Sequence, residues 1–304
     1  MRTIYLGTPL FAVATLEAMA AAGHRIVAVY TQPDRPKGRG QSLAIPPVKA
    51  AALRLGLTVR QPERLKADFE ALAKDEAEVM VVVGYGQLIP QSIIDLPRYG
   101  IVNVHGSLLP KYRGAAPIQW AIANGEKTTG VTTMKIDAGL DTGDMLLKAE
   151  TPIGDGETAP ELSARLAVMG AGLLLRTLDG ISTIVPGKQD PAEATIARIL
   201  KKEDGRVSFA RTAHQIHCRA RGFEPWPGAT ASFRDQPLGL GRMNLSDRHG
   251  LAAGELLVDR QRLFAGCGDD TVLELLEVQP PGKKRMPVAG FLNGARIQPG
   301  ETFQ

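Results

Sequence analysis

The sequence predicts an α/β fold, in which a mostly parallel sheet covered by helices is followed by a smaller β-barrel. Three observations lead there. The chain opens with strand-like, helix-like and strand-like segments in succession before Gln32. Val79–Val83 is an unbroken apolar run, as expected of a strand buried on both faces of a sheet. The final third breaks into short strand-like runs separated by Gly, Pro and Asp turns.

Residues 3–7 form the first apolar strand and enter a turn at Gly7, Thr8 and Pro9. Residues 10–22 carry Leu10, Val13, Leu16 and Met19 at helical spacing, and Gly23 stops that helix. Residues 25–31 are the second strand, so a right-handed crossover and parallel pairing follow. The intervening turn, Gly-Thr-Pro-Leu-Phe, is not a Gly-x-Gly-x-x-Gly fingerprint, which removes the main support for a dinucleotide. Residues 32–47 lack periodicity and are rich in Pro and Gly, a long loop of the kind that is usually functional or disordered. A helix at 48–55 and the Val79–Val83 strand come next. Ile101–His105 is another strand, polar at the carboxyl end where open α/β sheets bind ligands. A helix at 116–123, strands at 131–136 and 145–149 and a long helix at 160–178 complete this part. Residues 186–204 turn polar and charged, as a linker would. Beyond it lie a short helix at 212–221 and strands at Ala229–Phe233, 254–258, 263–265 and 271–278.

With 304 residues, two domains are expected. A composition of 44% hydrophobic and 22% charged residues excludes disordered and collagen-like classes. Cys218 and Cys267 are too few for a disulfide framework and lack zinc spacing, so both read as small apolar fillers in a reduced, cytoplasmic protein. The first strand begins so close to Met1 that no signal peptide is expected. No apolar run approaches the ~18 residues needed to cross a bilayer. A net charge of +4 permits an anionic partner without demanding one.

The segment with most chemistry runs from Asn103 to Ile118, followed by residues 137–144. Strand side chains alternate, so Asn103 and His105 project from one side, placing an amide and an imidazole together at a strand end. Asp141 lies in a Gly-rich turn able to bring a carboxylate to the same place. Asp144 is the competing carboxylate and reads as a turn or surface residue.

In these residues the chain resembles the folate-dependent formyltransferase family, with its Asn-x-His, a following Ser-Leu-Leu-Pro and an Asp in a Leu-Asp-x-Gly turn. Over nearly the whole length it is similar to the branch of that family acting on methionyl-tRNA. The matching pieces are Gly7-Thr8-Pro9, Thr31 to Pro36, Asn103 to Gln119, Gly139 to Met145, Pro225 to Ala229 and Gly282-Lys283-Lys284. The resemblance implies transfer of formyl from 10-formyltetrahydrofolate, a cosubstrate, to the amino group of initiator methionyl-tRNA for translation initiation, with no metal. It implies a Rossmann-like catalytic domain over residues 1–188, a linker over 189–205 and an OB-like tRNA-binding domain over 206–304. No obligate protein partner or membrane is expected.

The chemistry agrees with that assignment of Asn103, His105 and Asp141 as the catalytic set. Acyl transfer to an amine passes through a developing oxyanion and needs donors aimed at it and a group to manage the amine proton. Asn103 can supply an N–H, and His105 can donate to the oxyanion or shuttle a proton. Asp141 can orient His105 and favour its charged form, or receive a proton through water. For folate, the expected wall is Tyr85, Gly86, Leu88 and Ile89, with Ser107, Leu108, Leu109 and Pro110 at the family's folate-contacting segment.

The loop at 32–49 holds Arg35, Lys37, Arg39 and Lys49 against the single acid Asp34. On charge alone this is a solvated loop. The resemblance makes Arg35, Lys37 and Arg39 contacts to the tRNA acceptor arm, Arg39 being the family's key arginine in Gly-Arg-Gly. From Lys201 onward fifteen Lys and Arg face twelve Asp and Glu, a slight basic bias. Lys201, Lys202, Lys283, Lys284 and Arg285 are the candidate phosphate contacts there. Trp226 reads as a buried anchor under a turn, base stacking being the rarer role. Two rivals are weaker: the second domain and the Arg35–Lys49 loop argue against a formyltransferase acting on glycinamide ribonucleotide or a sugar amine, and intact Asn103, His105 and Asp141 argue against a non-enzymatic RNA-binding protein.

Overall fold

The computed structural model describes residues 1–37 and 42–304. The chain divides into two compact units. The first comprises Met1–Pro117, Thr128–Pro152 and Leu162–Arg198, the second Ile118–Lys127, Ile153–Glu161 and Ile199–Gln304.

In the first unit, β1 (Arg2–Gly7), α1 (Val13–Ala21) and β2 (Arg25–Tyr30) make the expected opening, with a 3-10 turn at Leu10–Ala12 leading into the helix. A short hairpin of β3 (Arg35–Lys37) and β4 (Ser42–Ala44) follows. Strands of three residues are too short to set a periodic pattern, so the sequence showed only a loop. After α2 (Pro47–Arg54) come β5 (Val59–Arg60), α3 (Phe69–Lys74), β6 (Val79–Val83), α4 (Gln91–Ile94) and β7 (Ile101–His105). Then follow β8 (Arg113–Gly114), α5 (Pro117–Ala123), which from Ile118 on belongs to the second unit, β9 (Thr128–Lys135), β10 (Met145–Pro152), α6 (Ala159–Asp179), which joins the first unit at Leu162, and β11 (Ile196–Ala197).

The main sheet has seven strands in the order β10-β9-β7-β6-β1-β2-β5. The run from β7 to β5 is parallel, while β9 pairs antiparallel with both β7 and β10. Every residue of β6 and β7 is buried, the physical reason their sequences are apolar on both alternating faces. The two faces of β7 are used differently. A Cβ on Gly170 of α6 would lie 2.9 Å from Val104 Cγ1, and Thr177 hydrogen-bonds Thr133 at 2.8 Å. Helix α6 therefore fills the face to which Val104 points, and Asn103 and His105 emerge on the other.

The segment that composition reads as a linker is structured at its start. Gly187 and Met145 exchange two backbone hydrogen bonds of 2.8 Å, and β11 pairs in parallel with β8. This stretch is short and polar, so it carries no periodic signal.

The second unit holds α7 (Ala213–Gly222), β12 (Ala229–Phe233), β13 (Gln236–Leu240), β14 (Met243–Ser246), β15 (Leu256–Asp259), β16 (Arg262–Gly266), β17 (Val272–Leu275), β18 (Glu277–Gln279), β19 (Met286–Pro287) and α8 (Val288–Ala295). These strands form two small antiparallel sheets, β12-β13-β18-β19 and β14-β17-β16-β15. Thr212 caps α7 reciprocally with Gln215. The core gathers Phe209, Ile216, Phe233, Leu240, Leu263, Leu275 and Phe303, with Phe209 stacked on Phe303 at 5.1 Å. The single strand expected at 271–278 is two. The N–H groups of Leu276 and Glu277 both donate to the Arg242 carbonyl, at 2.9 and 3.1 Å, and the chain changes sheet there. Among the described residues no helix is long and apolar enough to cross a membrane.

Candidate active site

At the carboxyl end of β7 the structure brings Asn103, His105 and Asp141 into one corner. Asn103 and His105 are 7% and 6% exposed, held in register between β6 and β9. The His105 Nε2 hydrogen-bonds the Tyr112 carbonyl at 2.9 Å. A carbonyl only accepts, so Nε2 carries a proton and Nδ1 is left for chemistry. Asp141 Oδ2 stands 3.7 Å from that Nδ1. The separation is slightly long for a direct hydrogen bond and suits a water or a small shift of the ring.

The carboxylate is fixed from its other side by Gly114, whose N–H donates to Asp141 Oδ2 at 2.8 Å. Gly114 has φ +115°, and a Cβ there would meet the Ala197 carbonyl at 2.8 Å. Only glycine satisfies both demands. Asp141 itself lies in the left-handed region at φ +51°, a conformation Asp tolerates better than most residues. Its turn is shaped by Asp137, which accepts from the Gly139 N–H at 3.0 Å and the Thr142 hydroxyl at 2.7 Å. Asp144 takes no part; its carbonyl accepts from the Lys135 N–H at 2.9 Å. No side-chain hydrogen bond among the described residues engages the Asn103 amide. A donor pair thus faces the corner without a protein partner.

Sequence reasoning missed Gln189 and Thr195. Gln189 is 8% exposed and donates from Nε2 to the carbonyls of Asp141 and Gly143, both at 2.8 Å. Its Oε1 accepts from Arg113 Nε at 2.9 Å. Thr195 Oγ1 accepts from the Tyr112 N–H at 2.8 Å. Both act on main-chain groups distant in sequence, so no local pattern reveals them.

The residues expected to wall a folate pocket are placed unevenly. Tyr85 is 1% exposed, Gly86 is open to solvent, Leu88 is 92% exposed and Ile89 is half-buried. Burial pushes the Tyr85 phenol up to about 12, and its hydroxyl has no partner among the described residues. Ser107, Leu109 and Pro110 are buried and Leu108 half-buried. Ser107 Oγ donates to the Lys111 carbonyl at 2.7 Å, so this segment offers shape and backbone more than side-chain polarity. The Tyr85 carbonyl accepts from Thr8 Oγ1 at 3.0 Å and Gln32 Nε2 at 3.1 Å, tying the wall to the base of the hairpin.

Of the expected RNA-facing cations, Arg35 is exposed on β3, Lys37 ends that strand, and Arg39 lies outside the described residues. Lys49 is not a free loop cation. It pairs with Asp34 at 2.6 Å, and Lys49 with Gln61 holds that carboxyl below its usual range. In the second unit Lys201, Lys202, Lys283 and Lys284 are exposed, whereas Arg285 pairs with Glu224 at 2.9 Å. Trp226 is 55% exposed, contrary to the buried anchor expected. The prolines on either side hold it in a turn where its ring projects outward. Cys218 and Cys267 are both 2% exposed, and burial pushes the Cys267 thiol up to about 12.

The Formyl transferase family model matches residues 1–178 and its C-terminal domain model residues 199–296. The chain belongs to the formyl transferase family. It is 57% identical to a methionyl-tRNA formyltransferase of Solibacter usitatus, covering 100% of this chain and 98% of that protein. A methionyl-tRNA formyltransferase of Acidobacterium capsulatum is 54% identical, with 98% of each chain covered. Among solved structures, an N-formyltransferase from Helicobacter canadensis in complex with folinic acid and dTDP-3-aminofucose superposes with a TM-score of 0.71. That likeness covers 90% of this chain and 98% of that one at 19% identity, and it establishes a shared formyltransferase fold.

Proposed function

We propose that this enzyme transfers the formyl group of 10-formyltetrahydrofolate to the free amino group of methionine on initiator tRNA, giving N-formylmethionyl-tRNA. The observation that carries the reading is the Asn103, His105 and Asp141 corner in a chain alike over its full length to methionyl-tRNA formyltransferases. The amine nitrogen attacks the formyl carbon, the bond from that carbon to N10 breaks, and tetrahydrofolate leaves. Asn103 donates its free amide N–H to the formyl oxygen as negative charge develops there. His105 Nδ1 takes the amine proton and returns it to N10 as the C–N bond opens, while the Tyr112 carbonyl keeps Nε2 protonated throughout. Asp141 stabilises the transient imidazolium. No side chain need become covalently attached, because the amine is the nucleophile.

The folate side fits the donor. A flat pterin with amide-like edges needs apolar walls and backbone groups. The loop with Tyr85, Gly86, Leu88 and Ile89 supplies exposed leucine and open glycine backbone, and Ser107, Leu108, Leu109 and Pro110 shape the other side. On the RNA side, Arg35, Lys37 and Arg39 contact the acceptor arm, and Lys201, Lys202, Lys283 and Lys284 contact phosphates. Residues 1–188 carry folate and chemistry, 189–205 join the domains, and 206–304 form the OB-like tRNA-binding domain. The exposed ring of Trp226 adds a surface on which a base can stack. Charged initiator tRNA is a cytoplasmic substrate, which places the enzyme there.

The test is acceptor choice. With 10-formyltetrahydrofolate labelled in the formyl group, label should pass to Met-tRNA and not to glycinamide ribonucleotide or a nucleotide-linked amino sugar. Transfer to either small acceptor with Met-tRNA unlabelled would overturn the reading.

A further inference from the structure

His105 is held from two sides, and both supports trace to one strap. Its Nε2 partner is the Tyr112 carbonyl, and the Tyr112 N–H is anchored by Thr195 Oγ1 at 2.8 Å. Its Nδ1 faces Asp141, and the Asp141 carbonyl is anchored by Gln189 at 2.8 Å. Gln189 and Thr195 lie in the stretch between Gly187 and Ala197, which composition reads as a linker. The strap is pinned at both ends, by the Gly187–Met145 exchange and by the β11–β8 pairing. Between them the Arg113 N–H donates to the Thr195 carbonyl at 2.8 Å.

We infer that Gln189 is a positioning residue for the reaction, acting through the Asp141 turn, with Thr195 acting likewise through Tyr112. The inference rests on the formyl-transfer reading above. Gln189 is suited to this work by its chemistry. An amide is the one neutral side-chain group that can accept from Arg113 and also donate to two carbonyls at once. Asp141 sits at φ +51°, and without the two donated bonds the carbonyls of Asp141 and Gly143 lose the group that orients them. A buried carbonyl left without a donor relaxes toward another partner, which rotates the turn and moves the carboxylate away from Nδ1.

Gln189→Glu tests this with minimal change in shape. The carboxylate still accepts from Arg113 but can no longer donate, so three oxygens converge where one amide mediated. Displacing a reacting group by about 1 Å can cost about 10²-fold in rate. Gln189→Glu is expected to lower kcat by about that factor while KM for both substrates stays within about twofold, since binding contacts are untouched. In an Asp141→Asn background the same change should add less than about twofold, because residues acting as a unit are not additive. A purely architectural Gln189 would give the same loss in both backgrounds, and that result, or an unchanged kcat, overturns the inference. Thr195→Val provides a second arm should Gln189→Glu not fold. It removes the acceptor at constant shape and is expected to lower kcat about tenfold with KM held, because Tyr112 is displaced less than the Asp141 turn; unchanged kcat counts against the strap. Wild-type turnover in Asp141→Asn alone would likewise overturn the inference, whereas the formyl-transfer reading fails separately, if the unaltered enzyme passes no labelled formyl to Met-tRNA.

Discussion

The corner at the end of β7 and the surfaces expected to meet RNA are built in opposite ways. In the corner most groups are committed: His105 Nε2 to Tyr112, Asp141 to Gly114 and the Asp141 turn to Gln189, while the Asn103 amide and His105 Nδ1 stand open for the reaction. On the second unit Lys201, Lys202, Lys283 and Lys284 reach solvent, and arginines of the same unit are spent on acids, as Arg285 on Glu224 and Arg262 on Glu274. Preorganised donors lower a barrier because they need no rearrangement when charge appears. Solvated lysines attract a polyanion from a distance and tolerate many geometries. Changes in the corner should therefore alter turnover, and changes at the surface should alter binding and its response to salt.

The largest expected effect is in the corner. Asn103→Ala removes an oxyanion donor and should lower kcat by about 10²–10³-fold with the fold intact. Circular dichroism and a bound folate analogue would confirm folding, and near-normal kcat in a folded variant would remove Asn103 from the chemistry. On the surface, Lys283→Gln with Lys284→Gln should leave kcat within about twofold and flatten the dependence of log affinity for tRNA on log salt by about one per lysine that contacts phosphate. An unchanged slope would return both lysines to plain surface. Arg39→Ala should weaken use of Met-tRNA while sparing slow hydrolysis of the formyl donor. Equal kcat/KM for initiator tRNA in variant and wild type would contradict that role.

The contrast was readable from sequence to different depths. The strand Ile101–His105 and the union of Asn103 with His105 follow from alternation within five residues. The Asp141 turn follows from its glycines and from the family motif. Gln189 and Thr195 could not be seen, because each contributes one polar group to a backbone carbonyl or N–H contributed by a distant part of the chain. The β3–β4 hairpin was hidden by its brevity, and the break at Leu276 by an apolar run that continues across it. Trp226 was misplaced because burial is the common state of tryptophan, and the prolines beside it override that preference.

A smaller effect concerns stability and belongs to the second unit alone. Burial, then the charges of Arg221 and His214, lower His217 from its ordinary 6.5 to about 4, with Asp155 opposing. Folded His217 stays neutral while the unfolded chain takes up a proton below about pH 6.5, so stability falls as pH drops from there toward 4 and then levels. The urea midpoint should be lower at pH 5 than at pH 7.5, and His217→Gln should narrow that difference. An undiminished difference would assign the acid sensitivity to other groups.

The most direct test of the division between corner and surface is a single-turnover measurement with His105→Gln, both substrates saturating and the formyl group labelled. Formyl transfer to Met-tRNA should slow by at least about 10²-fold, the lower range for loss of a general acid–base group, with the dissociation constants of tetrahydrofolate and tRNA unchanged. Transfer at the wild-type rate, or a loss that resides wholly in tRNA binding, would contradict that division.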